Sequence, residues 1–555
     1  MIRATVMSLL LCAVLMAQSS PQTAVRDQAA SQTSTANFRI AGILINSATG
    51  QPVSSATVAV APVTQGTERE LSKSVISGAD GRFAITGLSR GKYSLMATAH
   101  GFSVQSFQHH GDYATAVVVG PGLATENLTF QLEPDASLEG VVTDENNDPV
   151  QYATVRLFPT TTEDGQQRIT SGDAAQTDDQ GHYRLGHIRP GKYYAAVSAR
   201  PWYAQNSRPI TSNPLAAQDA ATLDVTYPLT FYPGTSDWPD ATPLQLAPGE
   251  RQSIDFPLHA VRSLHLRIHT GSTADSGVLG HMIFPTIMQR VFDGYLEPVS
   301  NAPVSWISPG VIEISGLTPG HYVLEVPASG ANDKQQRGWY REVELAGDME
   351  VSASDATSFA SVSGTVLFQG MQYPPAHASI ELRNPETGEV FHSDFNHRGE
   401  FDLRADTIRP GRYLLGLENA PGYSLVKLAA SGARLAGRTL TIGNAAVRIN
   451  GLAAPAAARI NGTVLRDTQP FSGAMVVLVP QDPANNVPLF RRDQSDSDGT
   501  FTLSNVVPGQ YTVLAIAHGW DLAWSDPTVL EPYLKAGKQV DVPAGETMDV
   551  KVEVH

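Results

Sequence analysis

Apolar and polar residues alternate with a period of two over short stretches, and the same stretch occurs five times along the chain. Phe83/Ile85, Tyr183/Leu185, Ile312/Ile314, Phe401/Leu403 and Phe501/Leu503 each mark one apolar face of a half-buried strand. A Pro-Gly turn or its relative follows. A second alternating run then begins at a tyrosine, as in Tyr322/Leu324/Val326, Tyr413/Leu415/Leu417 and Tyr511/Val513/Ala515. Two glycines bracket the first run: Gly81 and Gly91, Gly181 and Gly191, Gly310 and Gly320, Gly399 and Gly411, Gly499 and Gly509. Asp-Gly suits a turn that accepts positive φ, and Pro fixes φ ahead of the glycine in the second turn. The pattern predicts a β-hairpin in every copy.

An opening strand precedes four of these pairs: Gly42 to Ala56, Gly140 to Ala153, and the runs from Gly364 (GTVLFQGMQYPPAHASIEL) and Gly462 (GTVLRDTQPFSGAMVVLV). The third copy keeps only a loose match. Alternating closing strands (ENLTFQL, RQSIDFPL, MDVKVEVH) follow the Gly-containing turns. The periodicity divides the chain into 38–134, 135–260 with an insertion, a degenerate 261–355, 356–456 and 457–555. Short strands punctuated by turns predict an all-β protein, a tandem array of about five β-sandwiches. Connections such as FQLEPDASLEGVV are short, which predicts a rod of roughly 150–200 Å from about 13 Å of radius per 100 residues.

Composition changes the picture in three places. The length of 555 residues exceeds one core, and 42% hydrophobic with 17% charged residues fits a globular chain. A net charge of −16 opposes nucleic acid or an anionic membrane surface as main partner, since both require a basic face. At the start, Arg3, the apolar Met7–Met16 and the small residues near Ala17 to Ser19 form a secretory signal over 1–19, followed by a Ser/Thr/Gln-rich linker over 20–37. Cys12, the only cysteine, sits inside that apolar run behind Leu11, where a lipid-anchoring signal needs a small residue. No later apolar run approaches the ~20 residues of a membrane span. The expected location is secreted: periplasmic, outer-surface or extracellular.

The repeats resemble the carboxypeptidase regulatory-like domain. The likeness rests on G-x-V…G-x-P-V-x-x-A-x-V, then D-G-x-F-x-I and P-G-x-Y. It covers the first, second, fourth and fifth units and touches the third only through its hairpin. It implies transthyretin-like (prealbumin-like) β-sandwiches that are non-catalytic, of a type common in secreted bacterial proteins of acidobacterial kind and grouped with carbohydrate-binding-like folds. It implies no cofactor and no defined ligand.

Candidate chemistry is weighed against that background. Gly87–Gly91 (GLSRG) matches the nucleophile elbow and would make Ser89 a catalytic serine, but the pattern requires a strand–turn–helix and Tyr93 starts a strand. His397, Glu400 and His518 mimic an H-x-x-E…H zinc set, yet Gly399 is the repeat's turn glycine. Asp493, Asp496 and Asp498 suggest calcium or, better, a solvated turn, because the loop lacks the EF-hand glutamate. His109-His110 beside Asp112 reads as surface. Phe102, Tyr423 and Trp520 recur in one register and read as structural. The aromatics outside the repeat pattern are the glycan-binding candidates: Trp202, Tyr203, Tyr232 and Trp238 in the second unit, and Trp339 and Tyr340 in the third. The sequence therefore predicts a non-enzymatic surface or periplasmic scaffold or adhesion protein, with polysaccharide binding through those aromatics as the alternative. The partner is an extracellular protein or a polysaccharide. Asp526, Pro527 and Gly537 predict a short capped helix.

Overall fold

The computed structural model describes residues 38–63, 72–163, 165–206, 222–269, 285–299, 302–308, 310–326, 338–455 and 458–555. The signal and linker read at 1–37, Cys12 included, lie outside the described residues. The chain is all-β, a series of two-layer sandwiches. The short helix Pro527–Leu534 is capped by Asp526, whose carboxylate accepts the Thr528 N–H at 2.9 Å.

Each sandwich follows one plan. In the first, the opening strand Phe38–Asn46 lies between Arg82–Leu88, antiparallel, and Leu128–Leu132, parallel. The facing sheet orders Lys73–Ile76, Thr57–Pro62, Gly91–Ala99 and Phe102–Ser106. The fifth repeats it, with Ala458–Arg466 flanked by Thr500–Val506 and the parallel Thr547–Glu553.

The predicted hairpin is corrected by this pairing. The strands on either side of the Pro-Gly turn do not pair with each other. Arg82–Leu88 belongs to one sheet and Gly91–Ala99 to the other, and the same holds for His182–Ile188 with Gly191–Ser198, Val311–Leu317 with Gly320–Val326, Glu400–Ile408 with Gly411–Glu418, and Thr500–Val506 with Gly509–Ile516. The turn is an arch that carries the chain across the sandwich. Alternation is identical in a hairpin and an arch, so the period alone does not separate them.

Apolar side chains from both sheets close a core in each unit. Ile40, Phe83, Tyr93 and Phe130 do so in the first, and Ile460, Phe501, Tyr511 and Val552 in the fifth. The opening glycine permits close approach of the parallel closing strand. A Cβ on Gly140 would lie 1.7 Å from the Ile254 carbonyl oxygen, and one on Gly364 2.0 Å from that of Ile449.

The rod expectation is overturned. The fifth unit returns to the first, where the Ser497 N–H donates to the Ala116 carbonyl at 3.0 Å and Lys92 pairs with Asp496 at 2.5 Å. It also meets the second unit, with Ser525 N–H donating to Gly165 O at 3.1 Å, and the fourth, with Arg438 N–H donating to Asn485 O at 2.7 Å. Arg409 of the fourth unit reaches Glu325 of the third at 3.8 Å. Short connectors fix only sequential neighbours; backbone and side-chain groups on distant loops close the array.

Candidate functional site

The arch explains the motif around Ser89. The strand-initiating tyrosine of every unit donates its hydroxyl back to the carbonyl four residues earlier: Tyr93 to Ser89 at 3.0 Å, Tyr193 to Arg189 at 2.7 Å, Tyr322 to Thr318 at 2.8 Å, Tyr413 to Arg409 at 2.6 Å and Tyr511 to Val507 at 2.8 Å. The backbone of Ser89 is thus an acceptor that locks the arch, whatever side chain stands there. A strand follows the turn, so the strand–turn–helix of a nucleophile elbow is not formed. Likewise, His397 faces the Tyr373 ring at 5.7 Å, and Glu400 accepts from the Asn396 amide at 2.8 Å. Among the described residues no group of three or more His, Cys, Asp or Glu is gathered in metal-binding geometry.

The six aromatic candidates separate by position. Trp339 is 4% exposed inside the third core, which leaves no ring face for a sugar. Trp238 packs edge-on to Phe292 at 5.6 Å in the seam between the second and third units, where the fully buried Phe292 also meets Phe158 at 5.0 Å and Phe231 at 5.4 Å. Tyr232 is half-buried against Phe256 at 6.4 Å, and Tyr340 half-buried against Phe359 at 5.4 Å. Those four are packed side chains.

Trp202 and Tyr203 differ. Trp202 is 91% exposed, with its ring perpendicular to Tyr203 (87°, 5.7 Å between centroids). The Tyr203 hydroxyl donates to Glu145 at 2.6 Å. Desolvation, reinforced by that carboxylate, pushes the phenol up to about 12, so it remains a donor and the ring is pinned. Trp202 stands at the rim of a cleft of about 1020 Å³ between the second and third units. Arg156 bridges the cleft to Glu297 at 3.4 Å, and burial raises the Glu297 carboxyl above its ordinary range despite that partner.

The sequence reading missed Tyr152, which is 70% exposed and lines the same cleft. Its φ is +60°, and the matching residues of the first, fourth and fifth units also have positive φ: Ser55 (57°), His377 (62°) and Gly473 (78°). The signal was the glycine in the fifth copy, which marks a left-handed position that the second unit fills with an aromatic.

A shared arch, a parallel closing strand and a glycine beneath it in four of five units point to one module. The family model of the carboxypeptidase regulatory-like domain matches residues 39–133, 137–228 and 459–555, about half of the chain. This chain belongs to the carboxypeptidase regulatory-like domain family. The fourth unit, which the sequence motifs also suggested, is not among the matched residues. No curated protein matches the chain. Solved structures similar to it include the Bacillus anthracis TIE protein, at 12% identity over 72% of this chain and 69% of that one with a TM-score of 0.16. Others are the minor pilin of Streptococcus agalactiae (10% identity, 40% of this chain, 96% of that one, TM-score 0.22) and the shaft pilin of Lactobacillus rhamnosus GG (10%, 40% and 98%, TM-score 0.18).

The regulatory-like unit at each end of the described chain contributes to a polar clasp, and here two readings are corrected. His110 is not a free surface residue: it stacks on Trp520 (4.9 Å, 6°) and its Nδ1 faces the Gln494 amide oxygen at 3.1 Å. Burial lowers its pKa. The acidic run is not a solvated turn throughout. Asp498 does hold the turn, accepting from Thr500 N–H at 3.0 Å, but Asp496 accepts from the Ala116 N–H at 3.1 Å and from Lys92. Asp493 accepts from Thr502 N–H at 2.7 Å, and burial pushes its carboxyl up to about 6. The Gln494 amide donates to Thr115 Oγ1 at 2.7 Å and to Gln108 O at 2.6 Å. Phe102 and Tyr423 pack against the cores of their own units.

Proposed function

We propose that this chain is exported and serves as a non-enzymatic scaffold at the cell surface or in the periplasm, folded in sandwich units bounded as 38–134, 135–260, 261–355, 356–456 and 457–555. The observation that carries the proposal is the clasp. Residues 495–497 and 115–118 hydrogen-bond directly through backbone and side chain, with the Ser497 N–H donating to Ala116 O and Ser497 Oγ accepting the Val118 N–H at 2.8 Å. Such contacts hold modules in fixed relative positions, which is the task of a scaffold and not of loosely strung binding beads. No helix among the described residues is long and apolar enough to cross a membrane. Amino-terminal sequencing of the protein from fractionated cells tests export. A chain beginning near residue 20 and cleaved by protease added to intact cells or spheroplasts is expected; an intact amino terminus in the cytosol overturns the proposal.

A second reading, polysaccharide binding, is favoured by the exposed Trp202 at the rim of the cleft. Retention on immobilised glycans tests it.

A further inference from the structure

Resting on the polysaccharide reading, we infer that the cleft between the second and third sandwiches binds an uncharged glycan segment, stacked on Trp202 and Tyr152, and discriminates against polymers of uronic acids. The cleft lies between two domains, a preferred place for ligands, and its volume of about 1020 Å³ exceeds a single sugar. Trp202 and Tyr152 present ring faces to solvent, 91% and 70% exposed. Aromatic faces attract the C–H-bearing faces of sugar rings through the same quadrupole that orders aromatic pairs. Trp202 meets the perpendicular Tyr203 ring, itself fixed on Glu145, and the backbone beneath Tyr152 is set by the repeat's left-handed turn. Aromatic side chains have only two torsions to order, so they lose little conformational entropy on binding.

Charge sets the class of glycan. Asp144, Asp148, Asp179 and Glu297 line the cleft against two cations, Arg156 and Arg200. Arg156 is engaged by Glu297 and by Ser171 Oγ at 2.7 Å, and Arg200 donates to the Ala204 carbonyl at 3.4 Å. Carboxylates accept hydrogen bonds from sugar hydroxyls but repel a uronate, and in this lining they outnumber the cations four to two. The seam beneath, where Phe292 inserts between Phe158 and Phe231, holds the two walls at fixed separation.

Affinity electrophoresis of the full chain and its Trp202→Ala variant, in gels containing hydroxyethylcellulose, galactomannan, soluble starch or polygalacturonate, tests the inference. Retardation by at least one neutral polymer, at least tenfold weaker in Trp202→Ala, and none by polygalacturonate are expected. Because Trp202 is exposed, the variant keeps its fold, checked by an unchanged melting temperature. If neutral polymers retard both proteins equally, the cleft is overturned while glycan binding stands. Equal or stronger retardation by polygalacturonate overturns the charge selection alone. If no polymer retards the wild type, both the inference and the polysaccharide reading fall.

Discussion

Single residues in this chain carry roles that their neighbours in sequence do not reveal. Asp493 is the clearest. Its carboxylate is pushed up to about 6 chiefly by burial, with Thr502 and Gln494 N–H groups opposing the shift. An acid whose folded value lies above its unfolded one holds a proton in the native state that the unfolded chain has released. Its contribution to stability is therefore fully present only below the unfolded value of 3.8 and is lost progressively as pH rises from there through about 6. Asp493→Asn keeps the acceptor and removes the charge. It is expected to stabilise the protein by about 3 kcal/mol at pH 8 and by only about 1 kcal/mol at pH 4.5, from a shift of about two units worth about 1.4 kcal/mol each. Thermal unfolding at both pH values measures this, and parallel profiles for the two proteins would refute the assignment. The run DQSDSDG showed that acids cluster here; it did not show which of them faces a second unit, because burial against a distant loop leaves no local pattern. Trp202 was legible as a non-repetitive aromatic, yet Trp238 and Trp339 had the same credentials and are packed.

At the scale of the element, the arch was half legible. Alternation, Pro-Gly and the tyrosine were all read correctly as strand, turn and strand, but the two strands belong to opposite sheets. The tyrosine hydroxyl is the lock. Tyr413 is fully buried and donates to Arg409 O, so Tyr413→Phe leaves a carbonyl without that donor and is expected to cost about 1–2 kcal/mol. Tyr193→Phe, whose hydrogen bond is exposed, is expected to cost a fraction of that, since water replaces the hydroxyl. Denaturant titration of the two variants compares them, and equal losses would deny the lock its dependence on burial. The third unit shows why its opening strand escaped the sequence motif. In the other units a glycine lies opposite an aromatic, Gly42 with Phe83, Gly140 with Tyr183, Gly364 with Phe401 and Gly462 with Phe501; here Ile268 lies opposite Ile312. A Cβ on Gly462 would lie 2.2 Å from the Phe501 ring and one on Gly364 2.8 Å from Phe401, whereas at Gly42 and Gly140 it would meet the closing segment's carbonyl oxygen at 2.2 and 1.7 Å. In the third unit glycine and aromatic are both replaced by isoleucine while the strand and its parallel partner remain, so the motif is lost without the pairing.

For the whole molecule, the sequence pointed to a rod because the eye follows covalent connections. The structure closes the chain through residues more than 370 positions apart, such as Val118 with Ser497 and His110 with Gln494. Loop-closure entropy grows only with the logarithm of the separation, so a handful of good contacts suffices to hold such distant partners. The clasp offers them: a half-buried Lys92–Asp496 pair, three backbone-reading hydrogen bonds and the His110–Trp520 stack. Removing Asp496 alone would leave Lys92 short of its partner and the Ala116 N–H without its acceptor, a larger loss than the pair's net contribution. Asp496→Ala combined with Trp520→Ala is therefore expected to release the first unit while every sandwich keeps its own core. Small-angle scattering should show wild-type dimensions well below the roughly 150–200 Å of an extended five-unit rod. The double variant should have a larger radius of gyration and an unchanged circular-dichroism spectrum. A wild-type curve already at rod length would mean that the clasp does not hold in solution, and the scaffold would then be a flexible string whose units act one by one.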